Sequence, residues 1–249
     1  MRYHIDTIPV WDAVRENGEC PLCSLRRKEE ARSVENALGG SVMEPEARVR
    51  VNEKGFCARH HALLYARQNR LGHALMTHTH LLETQKRVHR IFQKANGDAP
   101  RRLFGKGNPS PLLAAADALD VLTASCALCE EIDAAMRRYA YTLLHLWTHD
   151  AAFASAFESG KGVCLKDAAL LLRMADEALS AAQQRKFAKT LARLTEGSLS
   201  RVAGELEWFT LKFDYRNADK PWNASRDALE RAVLKLRGGS LGSPNDAKK

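Results

Sequence analysis

The residues of this sequence with the clearest chemistry are its six cysteines and the histidine and aspartate spaced after two of them. Cys20-Pro21-Leu22-Cys23 and Gly55-Phe56-Cys57-Ala58-Arg59-His60 offer three thiols and an imidazole. Cys126-Ala127-Leu128-Cys129 and Gly162-Val163-Cys164-Leu165-Lys166-Asp167 offer three thiols and a carboxylate. A structural zinc ion takes four such ligands in a tetrahedron, and two ligands separated by two residues can face one ion from a single backbone turn. Taken in chain order, the first site is Cys20, Cys23, Cys57 and His60, and the second is Cys126, Cys129, Cys164 and Asp167. His61 competes with His60, because a Cys-x3-His pair also shares a helix face; the match of His60 to Asp167 favours His60. Aspartate is the less common zinc ligand, so three cysteines with a weak fourth ligand would also suit an iron–sulfur cluster.

The motifs recur at a fixed offset. Cys126 follows Cys20, and Cys129 follows Cys23, by 106 positions; Cys164 follows Cys57, and Asp167 follows His60, by 107. Each second motif is preceded by a glycine and opens into a double leucine, Leu63-Leu64 or Leu170-Leu171. This is the signature of a duplicated helical module.

The elements that must hold these ligands read as helices throughout. A lead-in over residues 3–10 precedes a short helix from Val10 to about Asn17. Pro21 sits at the first position of a helix reaching Leu38, with Gly39-Gly40 as its stop. Residues 41–56 read as a polar connection, whose Glu44 and Glu46 could add carboxylates near the first site. Helix resumes at Cys57, breaks around Asn69-Arg70-Leu71-Gly72, and continues from Ala74 to about Lys94 with Leu75, Leu82 and Val88 at helical spacing. Further helices are expected over Leu112–Leu122, Cys126–Trp147, Cys164–Leu179, Gln183–Leu211 and Ala224–Leu236. Phe187, Leu191, Leu194, Leu199, Val202 and Leu206 mark one buried stripe. No stretch shows sustained strand alternation, so the expected fold is all-α. The expected division is a helical zinc-binding module over 1–95, a basic Gly/Pro linker over 96–111 carrying Arg101, Arg102 and Lys106, a second helical module over 112–237, and a disordered tail over 238–249.

Cysteine pairs at helix N-termini meet free backbone N–H groups and the positive end of the helix dipole, which favour thiolates. An ion shared by two such starts offsets the chain entropy of closing the loop between them. A second histidine set, His73, His78 and His80, could hold a catalytic metal; polar-face histidines are the plainer account. Asp214, Tyr215, Arg216 and Trp222 read as a structural latch for the last helix. No Gly-x-Ser-x-Gly elbow, His-Glu-x-x-His pair or phosphate-binding glycine loop is present.

The formal net charge is +8 and the isoelectric point about 9.3. That permits nucleic-acid binding through a basic surface, although the excess is spread over solvated positions. No apolar run approaches the ~18 residues of a membrane span, and the N-terminus lacks an apolar signal core. A cytoplasmic location follows as the expectation, with reduced thiols available for metal.

Several stretches resemble an uncharacterised family of bacterial proteins classed as a domain of unknown function. They are His4-Ile5-Asp6-Thr7-Ile8-Pro9-Val10-Trp11-Asp12, Cys20-Pro21-Leu22-Cys23, Gly39-Gly40-Ser41-Val42-Met43-Glu44-Pro45, Asn52-Glu53-Lys54-Gly55-Phe56-Cys57, and Lys212-Phe213-Asp214-Tyr215-Arg216 with Trp222. The resemblance spans roughly residues 3 to 237 and implies a cytosolic protein with paired cysteine motifs and no assigned activity. Asp167 departs from the Cys-x-x-His ending of the first half. The functional expectation is a metal-stabilised interaction or regulatory scaffold with a protein or nucleic-acid partner and no membrane. The alternative is a metal- or thiol-dependent enzyme or redox sensor.

Overall fold

The computed structural model describes residues 6–97 and 110–239. The basic residues of the expected linker and nearly all of the expected tail lie outside them. Among the described residues there are eleven α-helices, three short 3-10 turns and no strand. The helices are α1 (Thr7–Arg15), α2 (Pro21–Leu38), α3 (Pro45–Lys54), α4 (Ala58–Tyr65), α5 (Arg70–Asn96), α6 (Pro111–Ala124), α7 (Ala127–His149), α8 (Ala151–Glu158), α9 (Leu165–Ala178), α10 (Ala181–Leu211) and α11 (Ala228–Arg237).

Three local readings change. The first helix begins at Thr7, not Val10, with Val10, Ala13 and Val14 on its buried side. Residues 45–54 are helix α3, not connection: Pro45 takes the first helical position and buries Ala47 and Val51. Proline is well suited there because its missing N–H would have no intrahelical partner; the charged sequence around it hid the helix. The break around Asn69–Gly72 is the start of α5. Asn69 Oδ1 accepts the Gly72 N–H at 2.8 Å, an N-cap. A Cβ on Gly72 would lie 2.8 Å from Asn69 Nδ2, so the cap and the glycine go together.

The chain forms two compact units, residues 1–29 with 134–249, and residues 30–133. The boundaries fall inside α2 and α7, away from the 96–111 stretch. Each unit therefore combines chain from both sequence halves.

The first unit has the larger core. Phe153, Phe187, Leu22, Leu25, Met136, Leu143, Leu144 and Leu171 are fully buried there. Trp11 meets Phe153 edge-on, and Trp147 meets Phe187, each at 5.0 Å between ring centroids. At about 1.5–3 kcal/mol per buried large side chain, this core can carry the unit. Gln183 Oε1 accepts the Ser180 N–H at 3.0 Å, fixing the start of α10. Close to the C-terminus of α10, Lys212 Nζ donates to the carbonyls of Asn217, Ala218 and Lys220 at 2.6–2.7 Å beneath the Trp222 ring. Asp214 pairs with Arg216 and Tyr215 is exposed, so the turn is gathered on Lys212 and not on the four residues named from the sequence.

The second unit is poorer in apolar mass: among its large side chains, Leu64, Met76 and His60 are fully buried. Helix α5 packs against α3 and α6. A fully buried histidine in so small a core points to a polar structural element there.

Candidate metal centres

The eight ligand candidates converge into two clusters, but not the two that chain order suggests. Cys57, His60, Cys126 and Cys129 form one, and Cys20, Cys23, Cys164 and Asp167 form the other. Within each, the candidate ligand atoms lie within 4.8 Å of one another. The grouping of Cys20 and Cys23 with Cys57 and His60, and of Cys126 and Cys129 with Cys164 and Asp167, is therefore corrected. Each Cys-x-x-Cys pair takes the Cys-x-x-His/Asp pair of the other sequence half. Spacing fixes the local pair; only the fold chooses which pair it meets.

Two local builds recur, one for each kind of motif. Cys57 and Cys164 stand just before α4 and α9 in nearly identical extended conformations, φ −71, ψ 165 and φ −76, ψ 161. Two residues earlier, Gly55 and Gly162 have φ of +62 and +78, a region costly to any side chain with a Cβ. Space closes the same positions: a Cβ would lie 2.4 Å from His80 Nε2 at Gly55 and 2.8 Å from the Leu194 carbonyl oxygen at Gly162. Each glycine turns the chain so that the following cysteine points inward. In the Cys-x-x-Cys pairs, the backbone N–H of Cys23 reaches Cys20 Sγ at 3.4 Å and that of Cys129 reaches Cys126 Sγ at 3.5 Å. The Asp167 N–H reaches Cys164 Sγ at 3.4 Å. Helix-start N–H groups thus face sulfur, as thiolates require.

In the second unit His60 Nδ1 lies 3.3, 3.2 and 3.4 Å from the sulfurs of Cys57, Cys126 and Cys129. Cys57 Sγ and Cys129 Sγ are 3.8 Å apart. A tetrahedron with zinc–sulfur bonds of about 2.3 Å and zinc–nitrogen bonds of about 2.0 Å has edges of about 3.8 Å and about 3.5 Å. The observed separations match those edges closely. His60 Nε2 is buried without a hydrogen-bond partner, and Glu30 Oε1 lies 3.4 Å away. That is long for a formed hydrogen bond, but it is the placement of a carboxylate that orients a metal-bound histidine. Arg59 holds Glu30 through two bonds of 2.7 Å. Burial lowers the His60 pKa, which keeps the ring neutral and able to ligate.

In the first unit Asp167 Oδ2 lies 3.3, 3.3 and 3.2 Å from the sulfurs of Cys20, Cys23 and Cys164. Its other oxygen, Oδ1, accepts from Arg26 at 3.2 Å. Cys23 Sγ and Cys164 Sγ are 3.6 Å apart. The division of labour leaves one carboxylate oxygen for a metal and one for a cation that offsets the excess negative charge. The side-chain contacts from Cys164 and Cys20 hold the Cys23 thiol down to about 2, while burial pushes Cys20 well above the usual thiol range. At Cys164 the Cys20 contact pulls the other way, but the Cys23 thiolate and burial prevail and push it up to about 12. Packed this closely, the thiols share their negative charge badly without a cation. A divalent metal replaces protons at such a cluster.

Lys235 braces this centre, and sequence reasoning missed it. Its buried ammonium donates to the carbonyls of Glu19 and Lys161, each at 2.6 Å, and lies 3.3 Å from the Glu19 carboxylate. Glu19 precedes Cys20, and Lys161 precedes Gly162, so one side chain ties together both ligand loops. The only sequence signal was a lysine on the apolar side of the last helix.

Other candidates go elsewhere. His61 is not a thiol-cluster ligand: its Nδ1 lies 2.9 Å from His73 Nε2, and Phe56 meets its ring edge-on. His80 Nδ1 lies 3.1 Å from the Asn52 carbonyl oxygen. His73, His78 and His80 do not converge among the described residues, and Glu44 and Glu46 belong to neither cluster.

The sequence profile of a family of unknown function (DUF6062) matches residues 1–242, and the chain belongs to that family. No curated protein and no solved structure matches it.

Proposed function

We propose that this member of the DUF6062 family is a zinc-binding helical protein, a metal-stabilised interaction or regulatory scaffold. One observation carries the reading: two separate sets of four candidate ligands, each gathered within 4.8 Å, with the His60 and Asp167 ligand atoms 3.2–3.4 Å from their three sulfurs. Three cysteines with histidine or aspartate are a donor set that suits zinc, and four protein ligands leave no open position for a substrate. The ion would supply a cross-link between helix starts far apart in sequence. Glu30 would orient His60, Arg26 would balance charge at Asp167, and the two glycines would aim their cysteines.

The scaffold reading draws on the outer face of α5. Leu71, Leu75, Leu82 and Phe92 are exposed there at spacings that place them on one side of a helix. An apolar stripe of that kind suits a protein partner. The internal repeat belongs to the same proposal: two copies of one module exchange their second ligand pair, so that each ion joins both copies.

The test is elemental analysis of protein purified without added metal and with air excluded, paired with thermal melting before and after chelation. Two zinc ions per chain and a large chelator-dependent loss of melting temperature are expected. A protein that carries no metal and melts unchanged in chelator overturns the reading, and iron with visible absorbance replaces zinc by a redox-active cluster.

A further inference from the structure

The two clusters share a donor pattern but differ in access. Cys20, Cys23, Cys164 and Asp167 are all buried, at 3, 2, 0 and 0 % exposure. The chain end of α11 covers them: a Cβ on Gly238 would lie 3.3 Å from Cys164 Sγ. In the other cluster His60 and Cys126 are buried, but Cys57 and Cys129 are partly exposed. The sulfurs of these two partly exposed residues are the pair separated by 3.8 Å. A disulfide of about 2.05 Å is reached by a shift of under about 2 Å, within one residue's side-chain motion at each end.

We propose that Cys57 and Cys129 form an oxidation site for small hydroperoxides, and that the buried cluster is a permanent structural site. The inference rests on the zinc reading above. The sulfur of one exposed thiolate attacks the O–O bond; one oxygen stays as a sulfenic acid and the other leaves, taking a proton, as water or an alcohol. The second thiolate attacks the sulfenic sulfur, the S–S bond forms, and hydroxide leaves and takes a proton. Two thiolates give up two electrons, the hydroperoxide accepts them, and two solvent protons are consumed. The disulfide no longer offers thiolates, so a metal ion there keeps only Cys126 and His60 and dissociates.

The surrounding unit turns this chemistry into a conformational signal. Among its described residues the apolar core is smaller than that of the other unit, with Leu64 and Met76 fully buried and Val34, Phe56, Leu128 and Ile132 nearly so. Loss of the metal cross-link would therefore weaken residues 30–133 more than a comparable loss would weaken the other unit. The other unit keeps both its ion and its core. Oxidation would loosen one half of the molecule while the other stays folded.

The experiment uses the full chain with its metal content measured beforehand. Zinc release is followed with a chromogenic chelator during a hydrogen peroxide titration, and thiols are then blocked and mapped by mass spectrometry. One of the two zinc ions should leave, a Cys57–Cys129 disulfide should appear, and Cys20, Cys23 and Cys164 should remain unmodified. Hydrogen exchange should rise within residues 30–133, and reductant with zinc should reverse both changes. In Cys129→Ser, a sulfenic acid on Cys57 should be trapped by dimedone without the disulfide. Release of both ions together, a disulfide among Cys20, Cys23 and Cys164, or no oxidation at peroxide levels that consume a free thiol overturns the proposal. Absence of zinc at the outset overturns the zinc reading instead, and the mapping still reports which thiols are reached first.

Discussion

His60 Nδ1 and Cys126 Sγ lie 3.2 Å apart although they come from opposite halves of the sequence. Cys23 and Cys164 repeat the relationship in the other unit, with sulfurs 3.6 Å apart. Each candidate ligand cluster is therefore shared between the halves, and several consequences can be measured.

Ligand variants should group by cluster. Cys57→Ser and Cys126→Ser should each remove one zinc ion, and the double variant should still retain the other. Cys20→Ser combined with Cys57→Ser should retain none. Energies should add in the second pair and fall short of additivity in the first, because only the first pair shares an ion. Zinc content of the two double variants decides between this grouping and the one suggested by chain order.

A protease site inserted within residues 98–109 should yield two fragments that stay together. Both units contain chain from each fragment, and each candidate ligand cluster draws on both fragments. Gel filtration of the cut protein should show one species with zinc and a shift toward separated or aggregated fragments with chelator. Fragments that part freely while still loaded with zinc would contradict the shared centres.

Lys235→Met should destabilise the first unit by about 3 kcal/mol, since it removes two charge-assisted hydrogen bonds to the Glu19 and Lys161 carbonyls while Arg201 still pairs with the Glu19 carboxylate. The zinc of the second unit should be untouched. Denaturant unfolding combined with metal analysis reads both parts.

Metal affinity should rise with pH. In the metal-free cluster, burial raises the Cys20 thiol and Cys164 stands at about 12, so both carry protons near neutrality. Zinc must displace those protons, so its stabilisation is present at higher pH and lost as pH falls. Two displaced protons weaken the apparent affinity about 100-fold per pH unit. Calorimetry in buffers of different ionisation enthalpy should count at least two protons released on filling this cluster, and a count near zero would show the thiols already ionised.

The helical class, the approximate place of most helices and the eight side chains that the fold gathers into two clusters were legible in the sequence. The reason is local: periodicity, glycine and proline punctuation and Cys-x-x-Cys spacing act within a few residues. The same locality explains α3, since Pro45 reads equally as a turn or as the first residue of a helix until Ala47 and Val51 find something to pack against. What spacing could not decide was which pairs meet. Loops of 33 and 34 residues separate the inner cysteines within a half, against 68 and 140 in the pairing that forms, so loop entropy alone favours the other pairing by about 2 kcal/mol. Packing decides it: α2 and α7 each run on through a unit boundary, and their N-terminal turns join units built from the other half. The same tertiary choice exposes Cys57 and Cys129, buries Cys20, Cys23 and Cys164, and brings Lys235 under two loops from which it is remote in sequence. The sequence by itself determined what could bind; the tertiary structure decided with whom each ligand binds, and which thiols solvent can reach.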